Sequence, residues 1–159
     1  KLATLVLIFV MAAAFADGQP KASKCRVGWT YFGGSCYAFG DIPKTYDDAA
    51  AFCVTHGGYL AEVESVQENN WLINKLTASN FGSVWIGGSE TLHRGTFLWV
   101  NSGNPLIFAD WSFMQPIDPP GVYEDCLEMR EQFSYKWNDF ECNQLNRFVC
   151  EIRSQPLED

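Results

Sequence analysis

WNDFECNQLNRFVCE, from Trp137 to Glu151, sets an adjacent amide and carboxylate, Asn138 and Asp139, among two cysteines and two apolar runs. With their flanks, FSYKWNDF and NRFVCEIR read as closing strands of a sheet, rich in aromatic and β-branched residues. Cys142 and Cys150 belong to a set of six, with Cys25, Cys36, Cys53 and Cys126. No CxxC occurs, so zinc ribbons and thioredoxin-like redox chemistry have no support. An even set in an exported chain predicts disulfides, in a connectivity that spacing alone leaves open.

Export is the expectation from the first stretch, KLATLVLIFVMAAAFA. Residues 1–16 read as a secretory signal peptide: one basic residue, an apolar run, then a small-x-small cleavage pattern ending at Ala16. The run falls short of the roughly 20 apolar residues that span a bilayer, so no membrane anchor is expected and the protein is placed outside the cell. Residues 17–24 form a short polar segment, 25–152 one domain, and 153–159 a C-terminal tail. The formal net charge is −8. An acidic surface repels phosphate backbones, which argues against nucleic acid as a partner.

Along the domain, CRVGWTYFGGSCY is patterned as a short hairpin turning at Gly33-Gly34. TYDDAAAFCVTHGG carries a helix start at Thr45 and Asp48 and a stop at Gly57, with Ala49, Phe52 and Cys53 on one side and Cys53 facing the core. SVQENNWLINKL starts a second helix at Ser65 and Glu68, with Leu72 and Leu76 four apart. Beyond Asn80, SVWIGGSE and GTFLWVNSG read as strands, whereas residues 101–123 show little regular pattern. A loop of that length within a compact domain is usually functional or disordered, and Phe108, Trp111 and Phe113 would be costly to leave exposed. YEDCLEMR is a further strand. Trp85, Trp99, Trp111 and Trp137 are expected in the core.

Taken in order, the CxxGW opening at Cys25 to Trp29, WIGG at 85–88, EDCLEM at 124–129, WND at 137–139 and FVCE at 148–151 resemble the C-type lectin-like domain. The resemblance spans Cys25 to Ile152. It implies an α+β fold of two helices flanking antiparallel sheets, with a long ligand-binding loop. It also implies three disulfides: Cys53 with Cys150, Cys126 with Cys142, and Cys25 with Cys36 in the hairpin of the family's long form.

The resemblance further implies a calcium and sugar site. Gln115, Asp118, Glu124, Asn138 and Asp139 supply the side-chain oxygens that a hard cation takes, and Pro116 would form the cis peptide that turns its flanking side chains to one point. Two neighbouring sugar hydroxyls would complete the shell of one Ca2+, and an amide-first Gln115-Pro116 points to galactose-type glycans. Ile117 stands directly after the proline and has no side-chain oxygen. Either it is a one-residue insertion and a bulged loop delivers Asp118 to the ion, or it occupies the ligand position and weakens the site. Tyr123 is a candidate for stacking on the sugar, because the family's tryptophan is absent and Pro120 stands in its place. An auxiliary calcium site would need acids at Glu90, Arg94, Pro119 and Asp125. Arg94 and Pro119 do not provide them, so that site is expected to be absent.

His56 and His93 have no triad or zinc-site neighbours, and no GxSxG, HExxH or P-loop occurs, so an enzyme is not expected. The expected function is a secreted, calcium-dependent lectin recognising microbial surface glycans in innate immunity, with agglutination. The alternative is a calcium-independent protein- or mineral-binding module on the same fold. With no coiled-coil neck and no spare cysteine, a homo-oligomer would be noncovalent.

Overall fold

A computed structural model describes residues 25–117 and 119–154. The expected signal peptide, the polar segment at 17–24, the end of the tail and Asp118 lie outside the described residues.

Both helices begin where the capping residues place them. In α1 (Tyr46–Thr55) the Thr45 hydroxyl accepts from the Asp48 amide at 3.3 Å, and in α2 (Val66–Ser79) Ser65 accepts from Glu68 at 3.2 Å. These contacts satisfy backbone donors that have no partner within the helix. α1 ends at His56 and Gly57, the glycine at a φ of +75°. Asn80 closes α2 in the left-handed region, which asparagine tolerates better than most residues. Tyr46, Ala49 and Cys53 form the buried side of α1, and Leu72 and Leu76 are fully buried in α2. Phe52 departs from expectation: it is more than a third exposed, stacks on the His56 ring at 4.1 Å and meets Phe148 edge-on. Its neighbour Cys53 takes the inward direction instead.

The strands are β1 (Thr30–Phe32), β2 (Ser35–Lys44), β3 (Tyr59–Leu60), β4 (Val84–Ser89), β5 (Leu98–Trp99), β6 (Cys126–Arg130), β7 (Lys136–Phe140) and β8 (Asn146–Arg153). Among the described residues they form one sheet ordered β1-β2-β8-β4-β6-β7, with β3 added to β8 and β5 to β4. The pairing is antiparallel except where β4 runs parallel to β8 at Val84 and Trp85. The expected strand over 95–103 contracts to Leu98 and Trp99.

Trp85, Trp99 and Trp137 are fully buried, and Trp111 is partly buried against the same core. WIGG is small at its end for a steric reason: a Cβ on Gly87 would lie 2.4 Å from the Leu60 carbonyl oxygen, and one on Gly88 would lie 2.5 Å from a Leu127 methyl carbon. The three disulfides are Cys25–Cys36, Cys53–Cys150 and Cys126–Cys142. Cys53–Cys150, spanning 97 residues, ties α1 to β8. In the chain-entropy account a loop of that length is worth about 4 to 5 kcal/mol.

Candidate functional site

The irregular chain between β5 and β6 is held against β7 by its own backbone. Trp137 donates its amide to the Asp110 carbonyl at 2.9 Å, and the Ser112 amide donates to the Trp137 carbonyl at 2.8 Å. Trp111 thus forms a parallel bridge with Trp137. The Trp137 ring meets Trp99, Phe108 and Trp111 edge-on, at centroid distances of 5.5 to 6.1 Å. Its indole nitrogen donates to the Asn69 side-chain oxygen at 2.9 Å, and the Asn69 amide donates to Asp110 at 2.8 Å. Lys136 pairs with the other Asp110 oxygen. Asn69, itself buried in α2, therefore joins helix, loop and strand just before the Asn138-Asp139 pair.

From that anchor the loop passes through Met114, at a positive φ of 66°, into a cis peptide between Gln115 and Pro116. The Ile117 amide then donates to Asp139 Oδ2 at 2.8 Å. This contact draws the Gln115-Pro116 turn onto the Asn138-Asp139 strand. Ile117 turns its backbone to the acid while its side chain is 43% exposed. Glu124 lies two residues before Cys126, which pairs with Phe140 in the β6–β7 register and is bonded to Cys142, so its backbone enters beside the end of β7.

Asn138 and Asp139 are both buried. The Asn138 amide nitrogen donates to Glu128 Oε1 at 2.9 Å and to the Asp139 carbonyl at 2.6 Å, so both its hydrogens are committed and the orientation of the amide is fixed. Glu128 was not among the residues anticipated. Its carboxylate also accepts from Arg130 at 3.1 Å and from Asn146 at 2.7 Å. Burial raises the Glu128 carboxyl above the usual range, while its Asn146, Arg130 and Asn138 partners pull it back. An acid between Leu127 and Met129, inside a buried strand, was the signal that could have marked it.

The donor chemistry fits calcium. Gln115 Oε1 is buried without a hydrogen-bond partner among the described residues, which is costly for an amide oxygen unless something else satisfies it. No group of three or more His, Cys, Asp or Glu converges on a metal position among the described residues. The described part of the expected set holds two carboxylates, Glu124 and Asp139, with amide oxygens from Gln115 and Asn138. Tyr123 is 64% exposed, with the Arg94 guanidinium carbon 4.5 Å from its ring centre.

A second acidic group sits between β2, β8 and the start of α2. Glu151 accepts from the Ser35 hydroxyl at 2.7 Å and the Glu62 amide at 3.0 Å, and Glu68 accepts from the Tyr37 hydroxyl at 2.6 Å. Burial pushes the Glu151 carboxyl up to about 7, against the opposing Ser35 and Glu62 donors and with help from the neighbouring Glu68 and Glu62 charges.

The family model described as the Lectin C-type domain matches residues 42–152. The chain belongs to the C-type lectin family. It is 33% identical to an alpha-N-acetylgalactosamine-specific lectin of Patiria pectinifera, over 92% of this chain and 94% of that protein. Among solved structures it resembles the carbohydrate-recognition domain of the mouse scavenger receptor C-type lectin, with a TM-score of 0.75, 28% identity, and coverage of 84% of this chain and 100% of that one. It also resembles a calcium-independent type II antifreeze protein, with a TM-score of 0.72, 28% identity, and coverage of 86% and 100%. The family consists of carbohydrate-binding domains rather than enzymes, and its fold is the one the cysteine and tryptophan marks implied. No helix among the described residues is long and apolar enough to cross a membrane.

Proposed function

We propose that this C-type lectin is a secreted protein that binds galactose-type glycans, including N-acetylgalactosamine, through one calcium ion held by Gln115, Asp118, Glu124, Asn138 and Asp139. The observation that carries the reading is the Ile117 amide donating to Asp139, which ties the backbone just after Gln115-Pro116 to the acid of β7, with the buried Gln115 oxygen lacking a hydrogen-bond partner among the described residues. The outward side chain of Ile117 favours the bulged-loop reading, in which the next residue, Asp118, turns to the ion. Calcium would supply a hard cation on which two vicinal hydroxyls can sit. The chain's own part is orientation. Gln115 provides an amide donor toward the sugar, Glu124 and Asp139 provide acceptors, and Glu128 fixes the orientation of the Asn138 amide. Tyr123 offers an aromatic face for the apolar side of galactose.

Similarity to an N-acetylgalactosamine-specific lectin supports the galactose-type preference. Microbial surface glycans are the proposed targets, with several sites in a noncovalent homo-oligomer raising avidity. Retention on immobilised galactose and N-acetylgalactosamine in calcium, with release by EDTA, is the expected result; binding that EDTA leaves unchanged refutes it. Two observations favour a second reading, a calcium-independent protein- or mineral-binding module: Ile117 brings no oxygen beside the proline, and the fold is shared with a calcium-independent antifreeze protein. Under that reading calcium produces no shift in melting temperature.

A further inference from the structure

The family resemblance implies that an auxiliary calcium ion would need acids at Glu90, Arg94, Pro119 and Asp125, and of these Arg94 brings a guanidinium and Pro119 no side-chain oxygen. That guanidinium is engaged: Arg94 Nη2 lies 3.3 Å from Asp125 Oδ2, and its carbon stands 4.5 Å from the centre of the Tyr123 ring. We propose that Arg94 is a positioning residue whose guanidinium replaces a second metal ion, ordering residues 119–125 and setting Tyr123 and Glu124 at the binding site in every calcium state. The inference rests on the lectin reading only for the use made of Tyr123 and Glu124.

Several contacts converge on the same joint. The turn after β4 is closed by the Gly95 amide donating to Glu90 Oε2 at 2.6 Å, which directs residues 90–95 toward the loop. The Glu90 amide and the Ser89 hydroxyl both donate to the Asp125 carbonyl, at 3.0 and 2.8 Å. Arg94 then crosses from this turn to the far segment and touches Asp125 with its charge and Tyr123 with its plane. An exposed ion pair alone contributes little. A guanidinium that also stacks on an aromatic ring gains a second attraction, and its planar fork loses less freedom than a lysine would in making both contacts. Asp125 and Tyr123 flank Glu124 on either side, so fixing them fixes the backbone that carries a proposed ligand. A metal ion could hold the same residues only while bound, whereas a covalently attached cation holds them when calcium is withdrawn.

Hydrogen exchange of the 119–125 peptide in EDTA tests this without any sugar. The wild-type peptide is expected to exchange at the same slow rate with EDTA as in calcium. Arg94→Met, which keeps the stem and removes the charge, is expected to exchange about tenfold faster, and Arg94→Lys to fall between. Peptides from β8 serve as the control for folding and should not change. Equal rates in wild type and Arg94→Met overturn the inference, as does a wild-type peptide that EDTA deprotects to the Arg94→Met level. Galactose retention is a separate arm: if the wild type binds no sugar, the lectin reading fails while the exchange rates still decide the role of Arg94.

Discussion

Replacing Glu128 tests whether the network behind Asn138 positions the site. The carboxylate is fully buried and accepts from Asn138, Asn146 and Arg130, two neutral amides and one cation. Glu128→Ala removes the acceptor for all three and leaves a cavity lined by polar donors. Breaking a buried charge network by deleting one partner costs about 3 to 5 kcal/mol, a large part of the roughly 5 to 15 kcal/mol that holds a domain together. Glu128→Gln is the finer probe. It keeps the volume and one carbonyl oxygen but presents an NH2 group to at least one existing donor, so a smaller loss of about 1 to 3 kcal/mol is expected. In the proposed calcium site Asn138 then loses its fixed orientation, so calcium affinity should fall about 10- to 100-fold, the usual range for a residue supporting a metal ligand. Urea titration gives the first quantity and isothermal calorimetry with calcium the second. Glu128→Gln with wild-type calcium affinity, or Glu128→Ala with a loss below about 1 kcal/mol, would refute the reasoning.

Glu151 links stability to pH. Its carboxyl is raised to about 7 by burial, so the folded protein retains a proton that the unfolded chain releases near its ordinary value. This contribution is fully present below about pH 4.5 and is lost as pH rises through 7, by an amount on the order of 3 kcal/mol. Urea midpoints at pH 5 and pH 8 should differ less in Glu151→Gln than in wild type, and an equal difference in both proteins would show that the carboxyl does not titrate this way. Gly87→Ala should destabilise by roughly 2 kcal/mol or more, since the added carbon meets the Leu60 carbonyl rather than a movable side chain. Thermal melts that leave Gly87→Ala within about 1 °C of wild type would contradict that.

Much of the architecture was legible along the chain because its causes are local. Thr45 and Ser65 start the helices through hydrogen bonds to residues three positions on, and the apolar spacing in α2 selects Leu72 and Leu76 for burial. Phe52 lies partly exposed where a buried position was expected, because helical spacing gives a direction but not the partners, and His56 and Phe148 offer a surface niche. Three disulfides could be expected from an even set of cysteines, but their pairing came from resemblance and not from spacing.

By itself the sequence determined which residue types are present for chemistry: oxygen donors along the 115–139 segment, an Asn-Asp pair, and an isoleucine, with no side-chain oxygen, directly after Pro116. Tertiary structure decided how they meet. The Ile117 amide reaches Asp139 across 22 positions, Asn69 reaches Trp137 across 68, and Glu128 fixes Asn138 across the β6–β7 register. Such contacts depend on strand pairing and on where a long loop is pinned, and no short window of residues encodes either. Arg94 shows the same division: its charge can be read from one letter, but its place over Tyr123 and beside Asp125 exists only once the turn after β4 and the start of β6 are brought together.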